Sequence, residues 1–261
     1  MKHFLAGLIS LSLLILGQSA SAADCKFKYK TGVNEDSAYF KRESSGQTSG
    51  LAWDILQEIS RRTGCEFQGA PMNFSRALVE MESSRIDLFA IVYQIPDWSK
   101  VAEHHLVYGS DRVILMRQEG APKTILLSQI MKNKNIKFGN VIGAVLFFSP
   151  AEIAQLEKEG RIVEFANGDG AIAGLLSGKV QVLFVSPLYL NFLRATSQFE
   201  KFAFAFDPSN SVDVGIYLSK KRMNDSQRLL LGNTIKEMRS DGTIKKILGN
   251  YLQPEDLSRY H

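Results

Sequence analysis

The sequence has few histidines and cysteines and lacks the common enzyme motifs, and these shortages narrow the choice of function. Its 261 residues include only 4 histidines and 2 cysteines. No stretch matches GxSxG, HExxH, a phosphate-binding loop or CxxC, so the usual signatures of hydrolases, zinc proteases, nucleotide-binding enzymes and thiol redox enzymes are missing. His104 and His105 are adjacent and would point to opposite sides of a strand, so they do not suit one metal ion. We expect no metal and no cofactor.

The sequence also lacks a strong excess of either charge and any segment of biased composition. Lys and Arg together number 31 against 27 for Asp and Glu, which gives a formal net charge of +4. No basic stripe alternates with aromatic residues, so nucleic acid is not an expected partner. Internal repeats, low-complexity segments and linkers rich in proline and serine are absent as well.

One long apolar run is present, and it lies at the N-terminus. Lys2 precedes the apolar residues 4–16, which are too few to span a bilayer comfortably. Ala20, Ser21 and Ala22 form a small-x-small cleavage site, with the same pattern one residue later as the alternative. Residues 1–23 are therefore predicted to be a secretory signal peptide, and the mature protein is expected in the periplasm. Lipid attachment at Cys25 is disfavoured because Asp24 stands where that motif has Gly or Ala.

The remaining sequence alternates predicted strands and helices, which indicates an α/β fold. An apolar helical face begins at Leu51, with Ser49 as the predicted N-cap and Gly64 as the end of the helix. The apolar run 88–92 predicts a strand covered on both faces. Ser149, Pro150 and Glu152 form a capping box with proline at the first helical position, which predicts another helix start.

Two stretches resemble a known family. Residues 50–102 contain GLAWDILQEISRRTGCEF, NFSRALVEMESSRIDLFA and IPDWSKVA, and residues 214–252 contain VGIYLSKKRMN and LGNTIKEMRSDGTIKKILGNYL. This pattern resembles the bacterial extracellular solute-binding proteins of family 3, which include the periplasmic amino-acid-binding proteins of ABC transporters. The resemblance extends over nearly all of the chain after residue 25.

The resemblance implies a two-lobed periplasmic binding protein type II fold, in which each lobe has a mixed central sheet flanked by helices. Lobe 1 would comprise residues 24–111 and 213–261, and lobe 2 would comprise residues 112–212. The chain would then cross the hinge twice. A solute in the cleft would touch both lobes and stabilise the closed form.

The family's anchors for an amino acid are missing here. Counting along the IPDWSKVA stretch places Trp98 where relatives have the arginine that holds the ligand carboxylate. Counting along residues 178–186 places Ser186 where they have the aspartate that holds the ammonium group. Gly143 and Ala144 replace a Gly-Thr or Gly-Ser pair at a helix start. The resemblance therefore implies a solute other than an ordinary free amino acid.

Neutral and aromatic residues remain as candidates for ligand contact. Trp98, Tyr93 and Phe147 would line a cleft wall, and Tyr39 lies in a loop that covers the ligand in relatives. Ordinary packing in the core is the alternative for each aromatic side chain. Arg76 would hold an anionic ligand group, with a solvated arginine at a helix start as the alternative. Arg112 is a weaker candidate, since it suits a hinge ion pair with Asp111 or Asp213 equally well.

The function implied is that of a monomeric binding protein without catalysis. It would capture a small organic solute for an ABC-type permease or a membrane sensor. The alternative is an enzyme on the same scaffold, since cyclohexadienyl dehydratase resembles this family. That reading requires a carboxylic acid with a raised pKa facing the ligand, and Asp97, Glu35 and Asp36 are the available groups.

The two cysteines, Cys25 and Cys65, each open a predicted strand. If these strands are parallel neighbours, both begin at the same edge of a sheet and the two thiols approach each other. Paired cysteines are usual in an exported chain. Two free buried thiols are the alternative.

We predict that protein isolated from the periplasm has no titratable thiol when denatured without reductant. The bond would close a loop of about 40 residues, which stabilises the fold by roughly 4 kcal/mol in the chain-entropy model. A thiol titration of the denatured protein tests this directly. Two reactive thiols per chain would contradict the pairing.

Overall fold

The computed structural model describes residue 25 and residues 27–34, 39–42, 44–144 and 148–260. The predicted signal peptide lies outside these residues. The strands are Lys28–Asn34 (β1), Lys41–Arg42 (β2), Thr48–Ser49 (β3), Glu66–Met72 (β4), Leu88–Tyr93 (β5), Ala102–Arg117 (β6), Phe138–Val141 (β7), Ile162–Phe165 (β8), Val182–Val185 (β9) and Phe202–Ser219 (β10). The α-helices are Leu51–Thr63 (α1), Phe74–Glu82 (α2), Leu127–Lys132 (α3), Pro150–Lys158 (α4), Gly168–Leu176 (α5), Pro187–Arg194 (α6), Asp225–Ser240 (α7) and Thr243–Leu248 (α8). Within the described ranges, no helix is both long and apolar enough to cross a membrane.

Eight of the strands form one mixed sheet in the order β4-β1-β5-β10-β6-β9-β7-β8. The strands β4, β1 and β5 are parallel to one another and make up the first half of the sheet. The strands β9, β7 and β8 are likewise parallel and make up the second half. The long strands β10 and β6 lie between the halves and run antiparallel to their neighbours. The predicted α/β fold, with a mixed central sheet flanked by helices, is confirmed.

The helix ends follow from local sequence. Gly64 ends α1 in the left-handed conformation, with φ of 75°, as predicted. The Asn73 side chain accepts a hydrogen bond from the Arg76 backbone N–H and caps α2. Both hydrogen bonds of the predicted capping box are present at the start of α4. The Ser149 side chain accepts from the Glu152 backbone N–H, and the Glu152 side chain accepts from the Ser149 backbone N–H.

The start of α1 differs from the prediction. Gly50, not Ser49, is the N-cap residue, and it makes no side-chain cap. Its φ is 111°, and a Cβ there would lie 2.5 Å from the backbone oxygen of Tyr39. Only glycine fits this close backbone approach without strain. The Ala52 backbone N–H donates to the same Tyr39 carbonyl oxygen at 2.9 Å.

The predicted disulfide between Cys25 and Cys65 is present, with Cα atoms 4.8 Å apart. The two residues precede β1 and β4, which pair in parallel from Lys28 opposite Glu66 onward. Both strands therefore begin at the same edge of the sheet, as the sequence argument required. The Cys25 backbone N–H also donates to the Thr63 carbonyl at 3.3 Å.

The strands β6 and β10 join the two halves of the sheet. They pair from Phe202 opposite Arg117 to Ser219 opposite Ala102, with a register break between Asp207 and Val212. The first half continues from β10 through β5, and the second half continues from β6 through β9. Both halves are therefore built on a single antiparallel pair.

A buried ion pair lies beside the register break. Arg112 Nη2 is 2.6 Å from Asp207 Oδ2, and the Arg112 side chain has no exposed area. Arg112 therefore pairs with Asp207, whereas we expected Asp111 or Asp213. The register explains this, because Asp207 is directly opposite Arg112 while Asp213 is opposite Gly109. Burial lowers the pKa of the Arg112 guanidinium, and the Asp207 carboxylate opposes that shift.

We expect Asp207→Asn to lower the free energy of unfolding by about 3 kcal/mol, because it removes the carboxylate that forms an ion pair with a buried guanidinium. Urea denaturation followed by circular dichroism measures this change. The control is Glu119→Gln, which makes the same chemical change at an exposed site and should alter stability by about 0.5 kcal/mol or less. Equal effects of the two variants would show that the buried pair contributes nothing special.

Candidate functional site

Two pairs of parallel strands, one pair from each half of the sheet and running in opposite directions, end at one cavity. The last residues of β1, β5, β7 and β9 all line it, namely Asn34, Tyr93, Val141 and Val185. In open α/β sheets the crevice outside the carboxyl ends of the strands is the usual place for a ligand. The topology alone therefore marks this cavity as the candidate site.

The cavity has a volume of about 120 Å³. The lining residues are Asn34, Tyr39, Phe74, Tyr93, Gly139, Asn140, Val141, Ala144, Gly168, Ala171, Ile172, Leu183, Phe184, Val185, Ser186 and Tyr189.

The described lining residues carry no charged side chain. Five of them are aromatic: Tyr39, Phe74, Tyr93, Phe184 and Tyr189. Hydroxyl and amide groups provide the polar contacts. Such a wall suits a flat or apolar solute that is oriented by a few hydrogen bonds.

Three helices begin at the cavity. Phe74 is the first residue of α2, Gly168 is the first residue of α5, and Ser186 is the N-cap of α6. The N-terminus of a helix carries a partial positive charge and backbone N–H groups without partners in the helix. The cavity therefore favours an acceptor group of a solute, such as a carbonyl or carboxylate oxygen, over a cation.

One side-chain hydrogen bond spans the cavity between the two halves. The Tyr39 hydroxyl and Ser186 Oγ are 2.8 Å apart, and both residues are buried. Ser186 Oγ also accepts from the Tyr189 backbone N–H at 3.0 Å, which caps α6. Burial raises the pKa of Tyr39 well above its ordinary value of 10.0, so its hydroxyl is protonated at neutral pH.

A second contact between the halves lies at the rim. Gly143, in the turn after β7, has φ of 80°, and a Cβ there would lie 2.4 Å from Ser75 Oγ. Glycine is needed both for the backbone conformation and for the close approach. The turn therefore rests directly on the start of α2.

Three of the predicted ligand-binding residues come together in this cavity: Tyr39, Tyr93 and Ser186. Ala144, which stands where relatives have a hydroxyl group, also lines it. Phe147, Glu35 and Asp36 lie outside the described residues.

Trp98 lies away from the cavity. Its side chain is 3% exposed and belongs to an apolar cluster on the first half of the sheet. Its ring centroid is 5.0 Å from that of Tyr217 and 5.6 Å from that of Phe89. Trp98 is therefore packed in the core, which was the alternative to ligand contact.

Arg76 lies near the cavity but does not line it. Its side chain is 65% exposed, and its Nε is 3.8 Å from Glu80 Oε1. It is two residues after Phe74 and one after Ser75, so it lies at the rim where the two halves touch. A solute group would have to reach toward this rim to meet it.

Several lining residues were not among the sequence candidates, including Asn34, Asn140, Phe184 and Tyr189. A usable signal was present for three of them, because Asn34 ends β1 and Asn140 and Phe184 are each one residue from the end of a strand. The strand-end rule points to these three positions but not to Tyr189, which lies in α6.

Among the described residues, His104 and His105 do not form a metal site with nearby ligands. The His104 ring packs against Tyr217, with centroids 4.8 Å apart, and His105 Nε2 is 3.7 Å from Glu103 Oε2. Across the part of the chain that the structure describes, no group of three or more His, Cys, Asp or Glu residues is arranged to hold a metal ion.

The mixed sheet with two crossing strands, and the cavity between its halves, define a periplasmic-binding-protein architecture. The sequence agrees with this class over most of its length. The chain belongs to the bacterial extracellular solute-binding proteins, family 3, whose family model matches residues 29–254.

Individual relatives are distant. A probable histidine-binding protein from Campylobacter jejuni is 20% identical over 208 residues, which cover 75% of this chain and 78% of that protein. The arginine-bound substrate-binding protein AbpA of an amino acid ABC transporter from Streptococcus pneumoniae superposes with a TM-score of 0.71 at 17% identity, covering 87% of this chain and 94% of that one. A histidine kinase sensor domain with similarity to periplasmic binding proteins superposes with a TM-score of 0.70 at 13% identity, covering 87% and 98%. At these identities, the structural likeness establishes the fold.

We expect Tyr39→Phe to lower the free energy of unfolding by about 0.5–1.5 kcal/mol, because it removes the hydrogen bond across the cavity. Ser186→Ala should cost more, since it also removes the cap of α6. A double-mutant cycle by urea denaturation separates the two effects. If the double variant loses the sum of the two single losses, Tyr39 and Ser186 are not coupled, which would contradict the contact.

Proposed function

We propose that this chain captures a small organic solute between two lobes and presents it to an ABC-type permease or a membrane sensor, without catalysing a reaction. The lobes are residues 24–111 with 213–261, and residues 112–212. The supporting observation is the cavity at the carboxyl ends of strands from both halves of the sheet, which the Tyr39–Ser186 hydrogen bond spans. A solute in this position touches both lobes and favours the closed form.

The proposed solute is aromatic or otherwise flat and carries at most one acidic group. The aromatic lining supports the flat part, and the three helix starts support one acceptor or acidic group. The ammonium group of a free amino acid would lie near these same helix starts. The described lining residues offer it no carboxylate. Cations are disfavoured at that end of a helix.

The absence of the family's arginine and aspartate contacts sets how far affinity for an ordinary amino acid falls. Each such contact is worth about 1.5–3 kcal/mol. Without both, binding of an ordinary amino acid weakens by on the order of a hundredfold to ten-thousandfold. The ligands of the named relatives are therefore not carried over to this chain.

Arg76 is the proposed partner for an acidic group that extends to the rim. Its exposure permits this role. Within the described residues, the ion pair that Arg76 forms is the one with Glu80, at 3.8 Å. Tyr39, Tyr93 and Ser186 remain the proposed contacts inside the cavity, with Phe74 added as an aromatic wall.

The dehydratase-like alternative requires an acid at the ligand. The described lining residues include no carboxyl group, and the candidates Glu35 and Asp36 lie outside the described residues. Transport and sensing use the same binding step. A permease and ATPase encoded beside this chain would favour transport, and a histidine kinase would favour sensing.

The proposal predicts that an aromatic or flat small molecule is released when the purified protein is denatured, and mass spectrometry of the released fraction identifies it. Calorimetry with that molecule should then give binding that Phe74→Ala weakens by about 2–13-fold, the equivalent of 0.5–1.5 kcal/mol for an aromatic contact. Micromolar binding of an ordinary amino acid to the wild-type protein would refute the proposed ligand class.

Arg76→Ala has a matched control for the same titration. Arg85 is similarly exposed and also pairs with Glu80. Arg85→Ala should leave affinity unchanged, whereas Arg76→Ala should reduce it when the solute is acidic. Equal affinities in both variants for an acidic solute would remove Arg76 from the site.

A further inference from the structure

The residues after α8 form a strap, defined here as residues 250–260. Its first part is attached to the helices of the first half. The Tyr251 hydroxyl donates to Asp54 Oδ2 in α1 at 2.6 Å, and Leu252 is buried in the main core. The strap therefore begins as part of the layer that covers the first half of the sheet.

The same strap is attached to α6, which follows β9 of the second half. Asn191 Nδ2 donates to the Tyr251 carbonyl oxygen at 2.6 Å. Farther along, Arg194 forms an ion pair and hydrogen bond with Asp256, whose side chain is 3% exposed. A buried carboxylate on an otherwise exposed turn has a strong requirement for this partner.

The end of the strap lies on the crossing strands. Tyr260 forms a β-bridge with Ser110, and its ring centroid is 5.1 Å from that of Tyr108. The Arg259 guanidinium is 4.5 Å from the Phe206 ring centroid and 3.5 Å from Asp111 Oδ2. The strap thus contacts β6 and β10 where their register breaks.

The helix α6 connects the strap to the cavity. Its N-cap, Ser186, meets Tyr39 across the cavity, and Tyr189 in its first turn lines the wall. Its last residue, Arg194, is held by Asp256. A helix of 8 residues moves as a rigid body, so a contact at one end constrains the position of the other.

We propose that the strap is a third connection between the two halves, and that Asp256 is a positioning residue for the solute cavity. By holding Arg194, Asp256 keeps α6 where Ser186 meets Tyr39 and limits how far the halves separate. This inference rests on the proposed closure of two lobes around a solute.

The test measures the separation of the two halves in ligand-free protein. Spin labels are placed at Gln68→Cys and Glu164→Cys, which are exposed positions on the outermost strands β4 and β8. The native cysteines do not interfere, because both are held in the disulfide. Pulsed electron paramagnetic resonance then gives the distribution of distances between the labels.

Asp256→Asn should shift this distribution to longer distances or add a second, longer population. The matched control is Glu255→Gln, the same chemical change at the adjacent exposed residue, which should reproduce the wild-type distribution. Asn191→Ala removes a different attachment of the strap, the hydrogen bond to the Tyr251 carbonyl oxygen. This variant replaces Asp256→Asn in the test if Asp256→Asn does not fold. It should shift the distances in the same direction.

Unchanged distances in Asp256→Asn and in Asn191→Ala would overturn the proposal, even if either variant melts at a lower temperature, since the strap would then only stabilise the fold. The measurement uses no solute, so this failure leaves the proposed binding function intact. A purified protein that releases no small molecule would count against the binding function and not against the strap.

Discussion

The antiparallel pairing of β6 with β10 is the constraint on which the rest of this structure depends. The first half of the sheet is attached to one of these strands and the second half to the other, so their relative position sets the distance between the halves. The buried pair of Arg112 and Asp207 lies at the register break of these strands. The Arg112 guanidinium is 4.3 Å from the Phe184 ring centroid, and Phe184 lines the cavity. The crossing strands and the cavity wall are therefore in direct contact.

The same topology explains what the cavity offers a solute. In each half, parallel strands point their carboxyl ends at the cavity, and the helices α2, α5 and α6 begin there. Strand ends supply short polar and apolar side chains, and helix starts supply partial positive charge. With no charged side chain among the described lining residues, these helix starts are the main source of electrostatic preference.

Local signals in the sequence predicted the fold well, while the direction of individual side chains was not predictable from them. The capping box at Ser149, the end of α1 at Gly64 and the disulfide depend on neighbouring residues or on strand starts, and all were confirmed. Trp98 was placed by counting along a turn, which gives a position in the chain and not the face on which a ring lies. The partner of Arg112 depends on the register of two strands 95 residues apart, and no local pattern encodes that register.

In the proposed two-lobed function, the balance between open and closed forms need not be set inside the cavity. The Tyr39–Ser186 contact is a neutral hydrogen bond, which is worth about 1 kcal/mol and changes a two-state population by only about fivefold. The crossing strands and the strap contain the buried ion pairs Arg112–Asp207 and Arg194–Asp256, both outside the described cavity lining. Breaking such a pair costs several times more than a neutral hydrogen bond. The strongest contacts that hold the hinge therefore lie outside the described cavity lining, whereas the proposed solute contacts lie within it.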